Sequence, residues 1–472
     1  MSAEAQPSSP APSAPSGGST DGSTGGLAGY FKFEERGTNA AIEAKAGLTT
    51  FFVMVYIIFL NAAILGAGFK LDPAGIAAVS AGTALIAGLA TIAMGIVGNY
   101  PLALAAGLGI NGIVAFSLTG RGLTPQGAMG VIVLEGLVVT LLVVVGFREA
   151  VMNAVPLPLK KAIGAGIGLF ILFIGFVGGG FIATPQGGVP IVAPVFPTTP
   201  GQFLFLGGLI FTMVLFVRKV QGALIISIFA ITVVALITGI ASVPTTFSVT
   251  PSFATLGQFD VTNVFTVLGP LAAVLTVFAI MLTDFFDTMG TVTGVASEAG
   301  LANEDGSVPG VGRVLFVDSL AAVAGGLGGV SSNTTYIESA AGVAEGGRTG
   351  FASIVTGILF LFAIFLSPLA SIIPSQATSP ALVIVGYLMF TQLKGIELGD
   401  VEDGLPALLT MILMPLTYDI TIGIGAGFIS WVIIKIARGK IGEIHPLMWA
   451  VSIMFLVYFL QAWLITVIPT PS

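Results

Sequence analysis

From Gly47 onward the chain alternates apolar runs of roughly 16–24 residues with short polar loops, and a bilayer-spanning helix needs about 20 such residues. The pattern predicts segments over 47–68, 74–97, 104–118, 127–146, 160–180, 202–217, 222–241, 264–288, 312–330, 334–345, 350–372, 379–393, 403–418 and 420–437. That makes fourteen, and an additional apolar helix is expected over 446–468. Its Trp449, Tyr458 and Trp463 suit a membrane interface as well as a core, so the pattern leaves open whether it spans. The fold class expected is an all-α polytopic membrane protein.

Residues 1–29 are rich in Ser, Pro, Gly and Ala, with Glu4 and Asp21 the only charges. Such a stretch buries too little apolar surface to offset its ordering entropy, and it is read as a disordered cytoplasmic tail. It lacks the basic start and apolar run of a signal peptide. Residues 30–46 read as an interfacial segment, with Phe31 and Phe33 expected to dip into the headgroup region.

Composition narrows the classes further. Of the 472 residues 55% are hydrophobic and 8% charged, against about 25% charged in soluble proteins. An ordinary soluble enzyme is excluded. A net charge of −7 and few Lys or Arg argue against a nucleic-acid partner. There is no Cys and one His, His445, so thiolate and multi-histidine metal chemistry are absent, and no cofactor is expected. His445 reads as a solvated surface residue. Sixty-four Gly suggest close helix packing and broken helices.

Basic residues give the orientation. With the N-terminus inside, fourteen of the sixteen fall on the cytoplasmic side, and only Lys70 and Arg121 fall outside. The third and tenth segments are both too short and too Gly-rich to span alone. Each follows an extended stretch, YPLALAAG at 100–107 and GGLGGVSSNTT at 325–335. They lie roughly 225 residues apart in matching places of two seven-segment sets, 47–241 and 264–437. Seven helices reverse the direction of the next seven, so the sets form an inverted repeat. Paired short, Gly-interrupted segments are the sequence pointer to a transporter site.

Candidate chemistry gathers there. In LTDFFDTMGTVTG, Asp284 and Asp287 are three apart and share roughly one helix face. Two acids within one turn at membrane depth need a reason, because each costs about 2.5–3.5 kcal/mol. Gly290, Thr291 and Gly294 suggest that the helix breaks or packs closely there. In the tenth segment Ser331 to Thr335 are cap-type residues ahead of a short helix, which places Glu338 in its first turn, where the dipole favours an anion. Thr335 is taken with Glu338 as part of the ligand site. In AAGLGINGIVAF, Gly107 and Gly109 allow close backbone approach, Asn111 offers two donors and an acceptor, and Phe116 could stack on a flat ligand. Asp318 reads as a proton relay or a tie between helices, Glu135 as structural and Asp419 as a cap. Glu345 and Arg348 are expected to form a solvated pair.

DFFDTMGTVTGVA at 284–296, TTYIESAAGVAEGGRTG at 334–350 and GLGINGIVAF at 107–116 closely resemble the AzgA-type purine permeases. PALVIVGYLMF at 380–390 and MPLTYDITIGIGAGFISWVI at 414–433 extend the match over essentially 30–468. The resemblance implies a core domain of segments 1–4 and 8–11, a gate domain of segments 5–7 and 12–14, and import of adenine, guanine or hypoxanthine with protons across the cell membrane. It places the family's two acids on Asp287 and Glu338, and its third-segment polar site on Gly109 and Asn111. Gly112 and Met289 stand where many relatives carry Ala. A homodimer is the one protein partner considered.

A purine base is flat, neutral and rich in N–H donors, which carboxylates accept. Two acids in one low-dielectric pocket do not both ionise easily, so one is a natural proton carrier. Glu338 is expected chiefly to bind the base and Asp287 to couple the proton, with Asp284 and Asp318 as further coupling candidates. The alternatives are a uracil- or xanthine-type carrier, a sulfate- or bicarbonate-type anion carrier, a diaspartyl membrane protease, and a divalent-metal transporter limited to hard ions. The acids and the lack of Lys or Arg in the motifs weigh against anions. Acids one turn apart on one helix cannot flank a scissile bond.

Overall fold

The computed structural model describes residues 26–146, 154–183, 193–245, 247–303 and 307–467. The expected tail falls mostly outside these residues. What is described of the N-terminal segment departs from expectation. Leu27–Phe31 forms a short helix, α1, and Phe31 and Phe33 are buried in protein rather than in lipid headgroups. Both rings pack on Phe351, at 5.6 and 5.8 Å.

The first half continues with α2 (Ala40–Met54), α3 (Ile57–Phe69), α4 (Pro73–Ala93), strand β1 (Leu104–Ala106), α5 (Leu108–Gly112) and α6 (Pro125–Val144). It closes with α7 (Leu157–Gly178), strands β2 (Ile182–Ala183) and β3 (Ala193–Pro194), α8 (Pro200–Val217) and α9 (Ala223–Ile237). The second half holds α10 (Val261–Leu268), α11 (Pro270–Glu298), α12 (Val311–Leu327), β4 (Asn333–Thr335) and α13 (Ser339–Ala344). Then come α14 (Gly350–Ala363), α15 (Ser375–Phe390), α16 (Val401–Thr417), α17 (Ile420–Ala437) and α18 (Pro446–Val467). Among the described residues, eight helices are long and apolar enough to cross a bilayer. Each of the fourteen expected segments coincides with helix, the third and tenth as short pieces.

Local chemistry sets the boundaries. Asp72, Thr124 and Asp260 cap α4, α6 and α10 through their side chains, and Pro opens α4, α6, α8 and α11 at the first turn, where its missing N–H costs nothing. Thr199 and Gln202 form a reciprocal capping box at α8. Asp419 caps α17 as expected, accepting from the Thr421 N–H at 2.9 Å.

The packing repeats itself when the halves are exchanged. Helix α4 packs on α14, and their counterparts α12 and α6 pack on each other. Contact of α7 with α16 is matched by α15 with α8, and α17 with α7 by α9 with α15. Elements that map onto each other meet directly: β1 with β4, and α7 with α15. This is the inverted repeat, visible as two-fold symmetry in the helix packing. Glycine permits the closest crossings. A Cβ on Gly168 would lie 2.6 Å from the Gly386 carbonyl oxygen, and one on Gly386 2.6 Å from that of Gly168.

Helix α18 is a 22-residue helix packed on the bundle. Its Phe455 is buried and meets the Phe428 ring of α17 at 6.0 Å. Near its start His445 is exposed, and its Nδ1 accepts the Leu447 N–H at 3.2 Å.

Candidate functional site

Strands β1 and β4 pair antiparallel, with Leu104 opposite Thr335, Ala105 opposite Thr334 and Ala106 opposite Asn333. The pairing extends outward: the Gly107 N–H donates to the Ser332 carbonyl at 2.8 Å, and the Tyr336 N–H to that of Ala103 at 3.0 Å. Irregular backbone needs such partners at membrane depth. Helix α5, continued as π-helical turns over Ile113–Leu118, leaves this crossing in one direction. Helix α13 leaves it from the other strand. At 1.5 Å per residue the 11 residues of 108–118 reach about 16 Å, half a bilayer core. Both short helices therefore start deep in the molecule.

Beneath the crossing, side chains hold β4 in place. Asp318 of α12 is buried; its carboxylate accepts the Thr335 N–H at 3.0 Å and the Thr288 hydroxyl at 2.8 Å. Thr288 and Thr334 hydroxyls are 2.7 Å apart. Asp318 thus ties α11, α12 and β4 together. Glu135 is buried in α6.

The two acids of α11 lie in different surroundings. Asp284 is 1% exposed and accepts from the Ser332 hydroxyl at 3.4 Å. Asp287 is half-buried. From Asp287 an accessible stripe continues through Gly290, Thr293, Gly294 and Ser297, whereas Thr276, Ile280 and Thr283 in the preceding turns are buried. The expected break at Gly290–Gly294 does not occur: α11 is continuous through Glu298. These glycines border the open space along this stripe, here called the vestibule, instead of packing. A Cβ at Gly290 would meet nothing within 4 Å, and one at Gly294 only Ile337 Cδ1, at 3.6 Å.

Across the vestibule stands α13. Glu338, half-buried, occupies its N-cap position, one residue ahead of the first turn, and does not cap the helix with its side chain. Its Oε1 instead accepts a hydrogen bond from the Tyr56 hydroxyl at 2.6 Å. Among the described residues no Lys or Arg forms a hydrogen bond or ion pair with Asp287 or Glu338. Lys160 of α7 lies 5.8 Å from the ring centre of Phe286.

The third-segment residues divide. Asn111 is fully buried, and neither its amide nitrogen nor its oxygen has a hydrogen-bond partner within the described structure. Such a group costs about 1–3 kcal/mol unless something binds it. Gly109 faces α7, where a Cβ would lie 2.6 Å from Ile167 Cγ2, and a Cβ on Gly112 would lie 3.0 Å from Phe170 Cε1. Phe116, a candidate to stack on a flat ligand though an apolar Phe in a membrane helix more often packs, has its ring engaged edge-on with Tyr418 at 5.9 Å. Phe170 and Phe173 meet the same tyrosine at 5.2 and 5.8 Å.

Two ends of the molecule can now be distinguished. One carries the N-terminal segment: the Arg36 guanidinium donates to the carbonyls of Asn99 (2.6 Å) and Arg348 (2.8 Å), and Glu43 accepts the Arg348 and Thr349 N–H groups. The expected Glu345–Arg348 pair is absent there. Glu345 pairs with Lys45, and the Arg348 guanidinium donates to the Val343 and Gly347 carbonyls, which lie within its reach. The vestibule opens toward this end. The far end is sealed by the Tyr418 cluster and by Arg121. That guanidinium pairs with Asp419, donates to Thr276 Oγ1 at 3.0 Å, and lies 5.7 Å from the Tyr458 ring centre. No local pattern points to this pair, whose members are 298 residues apart.

A two-fold pseudo-symmetric helical bundle, with short helices starting at a buried strand crossing and a vestibule open at one end, defines a membrane transporter and not an enzyme. Residues 42–426 match the model of the Permease family (Xan_ur_permease), and the chain belongs to that family. The guanine/hypoxanthine permease PbuG of Bacillus subtilis is 40% identical, covering 91% of this chain and 99% of its own. The adenine permease AdeQ of Escherichia coli is 37% identical over 92% of this chain and 96% of its own. Among solved structures, the transmembrane domain of the cyanobacterial bicarbonate transporter BicA superposes with a TM-score of 0.60 at 14% identity, covering 82% of this chain and 96% of that domain. At that identity the likeness is one of fold.

Proposed function

We propose that the protein imports purine nucleobases across the cell membrane by proton symport, with the N-terminal end of the bundle in the cytoplasm. The observation that carries this reading is the pair of half-buried carboxylates, Asp287 and Glu338, facing one vestibule from a through-going helix and a broken one. Neutral purines offer ring and exocyclic N–H groups, and these acids accept them. The buried, unbonded Asn111 amide can complement a ring nitrogen or a carbonyl. The names of the relatives agree with this substrate class. Gly109 and Thr335 contribute backbone shape more than side-chain chemistry.

Glu338 binds the base, Asp287 carries the proton, and Asp318 holds the scaffold on which both depend. A carboxylate pair without a cation is the wrong lining for an anion, so the bicarbonate-transporter fold does not bring that substrate with it. In this reading the end toward which the vestibule opens is the cytoplasmic one, and transport alternates this conformation with one in which the far end parts.

The test is Glu338→Gln. An amide offers one acceptor oxygen and an unwanted donor, so hypoxanthine binding by the purified protein should weaken about tenfold or more, with thermal unfolding little changed. Wild-type affinity in a well-folded Glu338→Gln protein would remove the site assignment.

A further inference from the structure

We propose that Tyr56 is a positioning residue for the substrate carboxylate: its buried hydroxyl fixes Glu338 by one oxygen and leaves the other for the ligand. The inference rests on Glu338 as the purine-binding group.

Tyr56 lies in a two-residue interruption, 55–56, between α2 and α3. Its side chain is fully buried inside the apolar run VYIIFL. A phenol there is costly unless its hydroxyl is bonded, and the bond it makes is the 2.6 Å donation to Glu338 Oε1. Hydrogen bonds to ionised acceptors are shorter and roughly twice as strong as neutral ones.

Glu338 needs such a partner. It sits at the N-cap of a six-residue helix yet makes no capping bond, so its own helix does not orient it. Helix α2 is meanwhile locked to α13 without slack, since a Cβ on Gly342 would lie 2.6 Å from the Ala46 carbonyl oxygen. The reach from Tyr56 to Glu338 is therefore set by backbone contact. A tyrosine also differs from Lys or Arg in what it leaves behind. It orients the carboxylate without neutralising it, so the charge stays available to the N–H donors of a neutral base.

Equilibrium binding of radiolabelled hypoxanthine to the purified full chain tests this with a double-mutant cycle of Tyr56→Phe and Glu338→Gln. Tyr56→Phe removes one oxygen and should weaken binding about tenfold, with elution volume and unfolding temperature close to wild type. In the Glu338→Gln background it should add little. If Glu338→Gln binds too weakly to measure, Glu338→Asp serves as background, because its carboxylate is withdrawn by one methylene from the tyrosine. Equal losses in both backgrounds would mean that Tyr56 acts elsewhere, and unchanged affinity in Tyr56→Phe alone would overturn the proposal. Normal binding by Glu338→Gln would instead refute the underlying site, a distinct result from a normal Tyr56→Phe beside a weakened Glu338→Gln.

Discussion

Asp284 and Asp287 are one turn apart on one helix, but α11 turns the first into packing and the second into the vestibule. The 60° between positions i and i+3 suffices to separate them. Asp284 is enclosed with Ser332, while Asp287 begins the accessible stripe. The difference bears on proton coupling. Asp287→Asn mimics the protonated form permanently, so reconstituted protein should still exchange labelled hypoxanthine across the membrane. Its gradient-driven accumulation should fall at least about tenfold, to near equilibrium, which corresponds to about 1.4 kcal/mol or more of lost driving force. Asp284→Asn should lower the yield of folded protein more than it uncouples. Counterflow and acid-outside uptake, measured side by side on both variants, decide the matter. Full accumulation by Asp287→Asn with loss in Asp284→Asn would reverse the roles.

At the scale of elements, glycine serves two opposite purposes, and the same substitution distinguishes them. A Cβ on Gly350 would run into the Gly95 backbone, with Gly95 Cα at 2.8 Å. Gly350→Ala should therefore force α14 away from the π-helical turns of 94–98 that continue α4 and destabilise the protein by about 1–3 kcal/mol. Gly290 borders open space in mid-helix, so Gly290→Ala should stabilise by up to about 1 kcal/mol through helix propensity. Thermal unfolding of the two detergent-solubilised variants reads the opposite signs. The glycine content of the chain is plain in its sequence, but not which glycines face backbone and which border open space. It did reveal the broken helices, because shortness, Gly content and cap residues are local features. Tyr56 stayed hidden because its partner is 282 residues away and its neighbours are all apolar. Phe31 and Phe33 were misplaced for a related reason. An aromatic residue near a membrane surface has the same local pattern whether lipid or Phe351 covers it.

For the whole molecule, the far-end seal joins parts that must separate if the vestibule is to open the other way. Arg121 and Phe116 follow α5, whereas Asp419 and Tyr418 lie between α16 and α17. Asp419→Asn keeps a good helix cap for α17 while removing the charge. It should shift the population toward a parted far end by roughly tenfold, or about 1.4 kcal/mol. Spin labels at the exposed positions Gly120 and Thr417 would report this as a longer-distance component in pulsed dipolar spectra. An unchanged distribution would show that the pair does not hold the seal.

The one-sided stripe on α11 also has an electrical meaning. Once water fills the accessible stripe from Asp287 to Ser297, it carries the potential of its own compartment along about 15 Å of helix. A transmembrane voltage then falls mainly across the stretch from Thr283 to Pro270, about 20 Å of helix, where Thr283, Ile280 and Thr276 are buried. A proton reaching Asp287 from the sealed side crosses nearly the full field, a difference of about 2.3 kcal/mol per 100 mV. A proton leaving Asp287 through the vestibule crosses almost none of it. In the proposed cycle, membrane voltage therefore acts on the loading of this carboxyl from the far side and is nearly silent on its unloading.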